Sequence, residues 1–462
     1  MTINSPTYDP ASTATALAQK FTAPTQDMLT AQTKDAQATT KALSDLGLAI
    51  GAFQTSLSSL TGLNKTLFAQ SAVMSDTSLG TATATATAGT GTFSFFVEQI
   101  ATSTQVAYDN LSNDGLAGGS VAISIGGTPF TVSLAGADTS KDGKMSVAEL
   151  AAAINKASAN AGRVQAAVVT IAGVPKLTLT STATGTGHAI TLDASGMTAS
   201  TLKTKLTDPL NFSTTVTGQN AVAYLGDASG PRIEQASNTF TNYDGLSVTF
   251  TKAQAAGATP VTVTVSPDSG KTSKNVQDFV DAYNTLKKAI DGLLDTGDAA
   301  KKKAPGTFAH DSGIRALRDR LVALMRPTVG ASLASYGIIA TKEGTLAVDS
   351  TRLSNQLARD PNGLDALIGK ATANTSTRSG IAGALQTFLE KWSDSTSGQL
   401  KMRSDANDKL QKSLTVRQTA LDAQYDAAYQ RYLLQFTQLQ TLQSTMNSNS
   451  SMFDALFGDK SK

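Results

Sequence analysis

Residues 43–67 read LSDLGLAIGAFQTSLSSLTGLNKTL, and their spacing decides the fold. Leu43, Leu46, Ile50, Phe53, Leu57, Leu60, Asn64 and Leu67 recur at alternating intervals of three and four, the heptad rhythm of a helix that buries one seam. Asn64 is the polar exception, of the kind that fixes register. Gly47, Gly51 and Gly62 each cost up to ~1 kcal/mol of helix propensity, so this helix needs a partner. Its flanking positions are Ser, Thr, Gln and Ala rather than Glu and Lys, which suits packing against neighbours. An ordinary amphipathic helix on a local core is the plainer reading of the same pattern.

A second long stretch, residues 397–446, carries Leu421, Tyr425, Tyr432, Phe436, Leu439, Leu442 and Met446 in a broken rhythm of threes and fours. Arg417 falls where the repeat wants an apolar group, which points to a shared bundle seam; the apolar positions of the two stretches are read together as assembly helices. Between the helical ends the period changes to two. The tract at 81–92, TATATATAGTGT, leads into strand-like runs at 93–98, 105–109, 121–125, 129–134, 164–171, 176–180, 189–192, 222–225, 246–250 and 261–265, with one helix at 147–157. The expected architecture is α+β and multidomain: paired N- and C-terminal helices form a coiled-coil or bundle leg, with two β-rich head lobes inserted between them. The expected bounds are a flexible segment at 1–28, which holds Pro6, Pro10 and Pro24, and a helical leg at 29–80. A head domain follows at 81–111 and 221–270, with a variable lobe inserted at 112–220. A helical domain at 271–400 and a C-terminal leg at 401–462 complete the chain.

Composition narrows the function. The 462 residues are 40% hydrophobic, 6% aromatic and 16% charged, with 2 His and no Cys. Charge is low for a soluble protein, and Thr, Ser, Ala, Gln and Asn take its place, as expected of a surface that meets other protein. A net charge of +2 gives no case for nucleic acid or an anionic membrane. Residues 1–24 lack the basic and apolar regions of a Sec signal, and no stretch reaches the ~20 apolar residues of a membrane span. Without Cys there is no thiolate nucleophile or Cys-based zinc site. His188 and His310 lie in unrelated segments with no G-x-S-x-G motif, so no catalytic set is expected and the chain is read as a non-enzyme. Lone Trp392 is read as core.

One segment resembles a metal loop. Asp138, Ser140, Asp142, Ser146 and Glu149 stand at positions 1, 3, 5, 9 and 12 of a twelve-residue EF-hand pattern, with Gly143 at the turn and the Lys144 carbonyl at position 7. Calcium is the ion such oxygens would hold, at ~2.4 Å; no cofactor is otherwise required. The competing reading is a turn followed by a helix capped by Ser146, with Glu149 closing a capping box.

Several motifs then align with one family. Val97, Gln99, Ile100, Ala101 and Gln105 resemble its V-x-Q-L-A-x-x-Q strand, and Ser237-Asn238 with Gly245–Phe250 its S-N and G-V-T-L segment. Phe279-Val280 and Ala282-Tyr283-Asn284 resemble F-V-x-A-Y-N, Gly337-Ile338 with Gly344, Leu346 and Asp349 resemble G-I and D-G-x-L-x-L-D, and Arg431–Thr437 with Met446–Ser448 resemble R-Y-x-x-Q-F-T and M-N-S. Each is weak alone, but five in order are specific to the flagellar filament cap family (hook-associated protein 2), over roughly residues 30–110 and 230–457. Gln440 and Ile368 depart from its pattern. The resemblance implies type III export of the unfolded chain, extracellular self-assembly, by family analogy into a pentamer, and insertion of flagellin at the filament tip. It also implies a cytoplasmic export chaperone on the C-terminal helix. An adhesin, with a role in cell adhesion, or a hook–filament junction protein would share parts of this pattern.

Overall fold

The structure, a computed structural model, describes residues 9–63, 65–326, 332–371 and 378–457. The chain opens with one helix, α1 (Pro10–Thr61). It continues through β1 (Gln70–Met74), β2 (Gly80–Ala84), β3 (Gly91–Gln99), β4 (Ser103–Tyr108), β5 (Ser120–Ile125), β6 (Thr128–Ser133), α2 (Val147–Lys156), β7 (Val164–Ile171), β8 (Val174–Thr184), β9 (Ile190–Asp193) and α3 (Thr201–Thr207). Then come β10 (Phe212–Val216), β11 (Ala221–Leu225), β12 (Arg232–Gln235), β13 (Thr239–Phe240), β14 (Leu246–Phe250) and β15 (Val261–Pro267). Helices α4 (Ser269–Leu294) and α5 (Ser312–Leu324), the hairpin β16 (Ile338–Ala340) and β17 (Leu346–Val348), and helices α6 (Ser350–Arg359), α7 (Gly363–Ile368), α8 (Gly380–Ser393) and α9 (Gln399–Phe457) complete it. Contacts divide the chain into a β-rich unit, residues 68–271, and a helical unit made of both ends.

The β-rich unit has two cores. In one, a five-stranded sheet of order β1-β15-β3-β11-β12 and a three-stranded sheet β13-β14-β2 enclose Phe95, Phe240 and Phe250. Phe250 meets the other two rings edge-on at 5.7 and 5.6 Å between centroids. In the other, the sheets β10-β4-β8-β7 and β6-β5-β9 and helix α2 pack around Val106, Ile123, Leu150, Ile154, Leu177 and Leu179. The Thr/Ala tract supplies β2, paired with β14 from Gly80–Phe250 to Ala84–Leu246, so alternation does make a strand there. Two expected boundaries move. The N-terminal leg ends near residue 67 rather than 80, because β1 and β2 belong to these sheets. The inserted lobe begins with β4, since Val106 and Tyr108 lie in its core.

In the helical unit the segment expected to be flexible, 1–28, is helical from Pro10; residues 1–8 lie outside the described ones. Asp9 caps that start, its carboxylate accepting from Ser12 N at 2.9 Å and Ala11 N at 3.4 Å. Pro10 sits at the first helical position, where its missing N–H costs nothing, and Pro24 is carried within the helix. At the other end the expected heptad overruns. The helix stops at Thr61, Gly62 turns extended with its N–H on Ser58 O at 3.0 Å, and a Cβ there would lie 2.3 Å from that carbonyl. Leu67 is buried outside the helix, and Asn64 lies outside the described residues. Among the described residues no helix is long and apolar enough to cross a membrane.

Candidate functional site

Helices of 52 and 59 residues, α1 and α9 are about 78 and 88 Å long. Their side chains fix them antiparallel. Gln26 and Gln418 exchange amide hydrogen bonds of 2.8 and 3.2 Å, and Asn407 Nδ2 donates to Ala36 O (2.9 Å) and Thr40 Oγ1 (2.8 Å). As α1 numbers rise, α9 numbers fall. The α9 seam is one residue in seven: Asn407, Leu414, Leu421 and Ala428 are buried. Opposite them α1 offers Ala14, Ala18, Thr22 and Ala36, small side chains that let the helices approach closely, and Leu29, which packs with Leu414 and Leu421. Asn407, 7% exposed, is the buried polar group that fixes this register.

The predicted assembly residues therefore divide. Leu43, Leu46, Ile50, Phe53 and Leu57 are buried inside the chain's own helical unit, and Leu60 is half-buried. Here α1 runs beside α8 as well as α9, with Gln54 Nε2 on Ser393 Oγ at 3.1 Å. The stripe read as an assembly helix is covered within the chain by the returning C-terminal segments. Leu421 is buried, and Tyr425, Tyr432 and Phe436 are half-buried. Leu439, Leu442 and Met446 are 45, 57 and 56% exposed. Carried on from Gln26–Gln418, the first residue of α1 comes level with about Leu434, so those three lie past the end of α1.

Two motifs of the family resemblance contain brackets. Asn238 spans Ala101, accepting its N–H at 2.6 Å and donating to its carbonyl at 2.9 Å. Asn284 does the same to Leu346 at 2.8 Å each way, while Tyr283 Oη donates to Gly344 O at 3.0 Å. An Asn side chain carries the donor and acceptor of a backbone amide, so Asn238 holds the connection between β3 and β4, and Asn284 holds β17. Gln254 adds another bracket that sequence reading missed: its backbone N–H and its Oε1 meet Val97 O (2.8 Å) and Val97 N (2.9 Å).

At the Asp138 loop the capping reading is realised. Glu149 Oε1 accepts from Thr139 N, Thr139 Oγ1 and Ser140 N at 2.8–3.0 Å, and Oε2 from Ser146 N and Ser146 Oγ at 2.9 Å. Ser146 Oγ in turn accepts from Glu149 N at 3.2 Å, a complete capping box. Those backbone N–H groups, Ser146 first and Ser140 next, pull the Glu149 carboxyl down to about 2. Asp138 Oδ2 accepts from Gly143 N at 2.9 Å and Asp142 Oδ1 from Lys144 N at 2.8 Å. Both Glu149 oxygens thus already hold donors that a bidentate calcium ligand must release. Among the described residues no three His, Asp or Glu side chains form a metal-holding group. His310 is exposed and His188 half-buried. Trp392 is core, with the Arg403 guanidinium 5.9 Å from its ring centroid and bidentate on Asp311 at 2.7 and 3.1 Å.

Comparison with known proteins places these features. Residues 7–104 and 218–448 match the N-terminal and C-terminal models of flagellar hook-associated protein 2. The lateral flagellar hook-associated protein 2 of Vibrio parahaemolyticus is 32% identical over 369 residues, 78% of this chain and 80% of that one. The B-type flagellar hook-associated protein 2 of Pseudomonas aeruginosa is 30% identical over 425 residues, 88% and 86% of the two chains. In fold, the D1-D2-D3 domains of the flagellar cap protein FliD from Escherichia coli superpose with a TM-score of 0.56 at 24% identity, over 79% of this chain and 99% of that one. The matched segments contain α1, α9 as far as residue 448, and every bracket described above, and the chain belongs to the flagellar hook-associated protein 2 family.

Proposed function

We propose that the chain is a subunit of a self-assembling cap at the outer tip of a bacterial flagellar filament, and that it works by assembly, not catalysis. Family membership at both ends carries this reading and disfavours an adhesin or a hook–filament junction protein. The α9 extension supports it from the chain itself: from Tyr432 to Phe453 there is no charged residue, while apolar side chains stand exposed. Such a surface is built to meet other protein. Flagellin is the partner proposed outside the cell, a cytoplasmic export chaperone the partner on residues 432–462 before export, and five the subunit number by family analogy. Calcium at the 138–149 loop is a separate and narrower proposal, in which Glu149 exchanges its five donors for the ion.

Deleting the gene is expected to leave hooks without filaments and to release unpolymerised flagellin into the medium, with restoration by the full chain. Normal filaments in the deletion strain contradict the cap reading. For the chaperone, capture from cytoplasm should vanish when residues 432–462 are removed, and binding that persists moves its site elsewhere.

A further inference from the structure

The four-stranded sheet of the inserted lobe ends on both sides in a strand without an outer neighbour, β10 and β7. The hydrogen-bond alternation shows which backbone groups face outward. Asp109 N donates to Asn211 O at 2.7 Å, so 211 and 213 turn to β4 while Phe212 and Thr214 turn away, the Phe212 N–H onto Pro209 O of the preceding 3-10 turn and its carbonyl and both groups of Thr214 outward. On β7 the outward residues are the even ones. Asn160 brackets Val164 at 2.8 and 2.9 Å, and Asn155 brackets Ala166 at 2.8 Å each way. Pro175, opposite Thr170, has no N–H to give, which fits the same parity. Beyond those two brackets the outward groups of Val168 and Thr170 meet no partner among the described residues.

The two edges match in polarity, in face and in chemistry. The sheet alternates antiparallel across all four strands, so β10 and β7 run in opposite directions. A copy placed beside another by rotation alone therefore meets it antiparallel. Phe212 and Thr214 stand opposite Tyr108 and Val106, and Val168 opposite Leu177, so all lie on the core face. Val168 against Thr214 and Thr170 against Phe212 then continues the pleat without a slip. Neither FSTTV nor VQAAVVTI contains the charge or proline with which soluble proteins guard an edge. Ile171 and Leu210 beside them are 62 and 90% exposed.

We infer that β7 of one copy and β10 of the next join head to tail as an antiparallel strand pair. This interface uses two different surfaces, the kind that closes into a ring when the rotation permits. It rests on the self-assembly reading above and names where that assembly occurs.

Thr170→Pro and Thr214→Pro, each made in the full chain, delete one outward N–H and leave the chain's own ladder whole. Light scattering on dilution is expected to show the dissociation midpoint rise about tenfold or more in each, with unchanged circular dichroism and melting. The chain has no Cys, so a second test adds Val169→Cys with Ser213→Cys, side chains that face each other on the non-hydrogen-bonded row. Oxidation should give a ladder of covalent multimers from the double variant and nothing beyond dimers from either single one. If a proline variant loses structure, the cysteine pair decides. A wild type that stays monomeric at every concentration removes the self-assembly reading and this inference with it. A wild-type oligomer that the proline changes leave intact, and that yields no ladder, overturns the strand pairing alone.

Discussion

The two halves of α9 share one backbone and little else. From Gln399 to Arg431 the helix carries ten charged residues, and from Asn407 to Ala428 it buries one position in seven against α1. From Tyr432 to Phe453 it carries no charge, and Leu439, Leu442 and Met446 are exposed. From Tyr432 the helix continues for about 33 Å, a length available to the partners proposed above. Charge marks the half already in its final environment, where solvent-facing Lys and Asp pair along the helix, as Lys401 does with Asp405 at 2.5 Å. Its absence marks the half that is to be covered later, since a charge buried on assembly must be paired or costs heavily.

The largest expected effect lies in the core of the helical unit, where α1 runs beside α8. Phe53→Asp with Leu57→Asp places two unpaired carboxylates at positions 2 and 1% exposed, in the core of the helical unit. A loss above ~4 kcal/mol is expected, enough to remove that unit's transition in calorimetry while the transition of residues 68–271 persists. Retained melting of both, with unaltered swimming, makes this stripe local packing of little consequence.

That stripe also shows how far sequence carries. Period and residue type located the helical ends, and of the ten expected strands the runs at 164–171 and 246–250 match residue for residue. In these segments the alternation of faces coincides with burial. The N-terminal 28 residues misled because proline was weighed as a breaker. At Pro10 it stands at a helix start, and that part of α1 is supported by an antiparallel partner about four hundred residues away. No local signal carries that. The end of α1 misled in the opposite sense: the heptad continues through Leu67, but Gly62 releases the chain five residues earlier. The assembly residues were legible as apolar and blind as to partner, because a heptad position looks the same whether its cover is the same chain or another. The Asn brackets were visible as motif letters, and their role was not, since it depends on which strand end each reaches.

Asn407 tests the covered half more finely. Asn407→Ala takes one of two amide donors from the Ala36 carbonyl and the Thr40 hydroxyl, Gln411 Nε2 staying on them at 3.3 and 2.7 Å, and a loss of ~1 kcal/mol is expected in chemical denaturation of the helical unit. Asn407→Leu should recover part of the stability yet relax the register, read as heterogeneous disulfide formation between cysteines placed at Thr40 and Gln411. A single register in the leucine variant would show that Gln26 and Gln418 suffice.

The Glu149 cap is a small quantity, and it lies in the other unit, residues 68–271. Glu149→Gln is expected to cost ~1 kcal/mol, as loss of a capping interaction does. Its carboxyl lies below its unfolded value, so the stability it contributes is present above pH ~4.5 and lost as pH falls toward about 2. The variant should lack that acid limb. Calcium enters as a second axis: if the ion binds, wild type should melt higher with tens of millimolar calcium than with chelator, and the variant should not. Equal melting in both solutions reduces the loop to a capped turn.

The smallest effect on stability is the one expected at the uncovered half, and its smallness is the point. Leu439→Gln with Leu442→Gln removes apolar groups that are already in water, so the isolated chain should change by no more than ~0.5 kcal/mol. Glutamine keeps helix propensity and adds no charge, so the helix itself is preserved. What should fall is whatever depends on covering that face: capture of the proposed export chaperone, and restoration of filaments in the deletion strain. Placing the same pair of changes at Leu414 and Leu421 reverses the pattern, because those side chains are buried against α1 and each leaves a polar amide in a closed seam. There, stability should drop by several kcal/mol. A Leu439/Leu442 variant that melts lower than wild type would mean the extension already folds back on its own chain. One that restores filaments fully and still binds the chaperone would mean the uncharged run serves neither partner, and the division of α9 into two roles would fail.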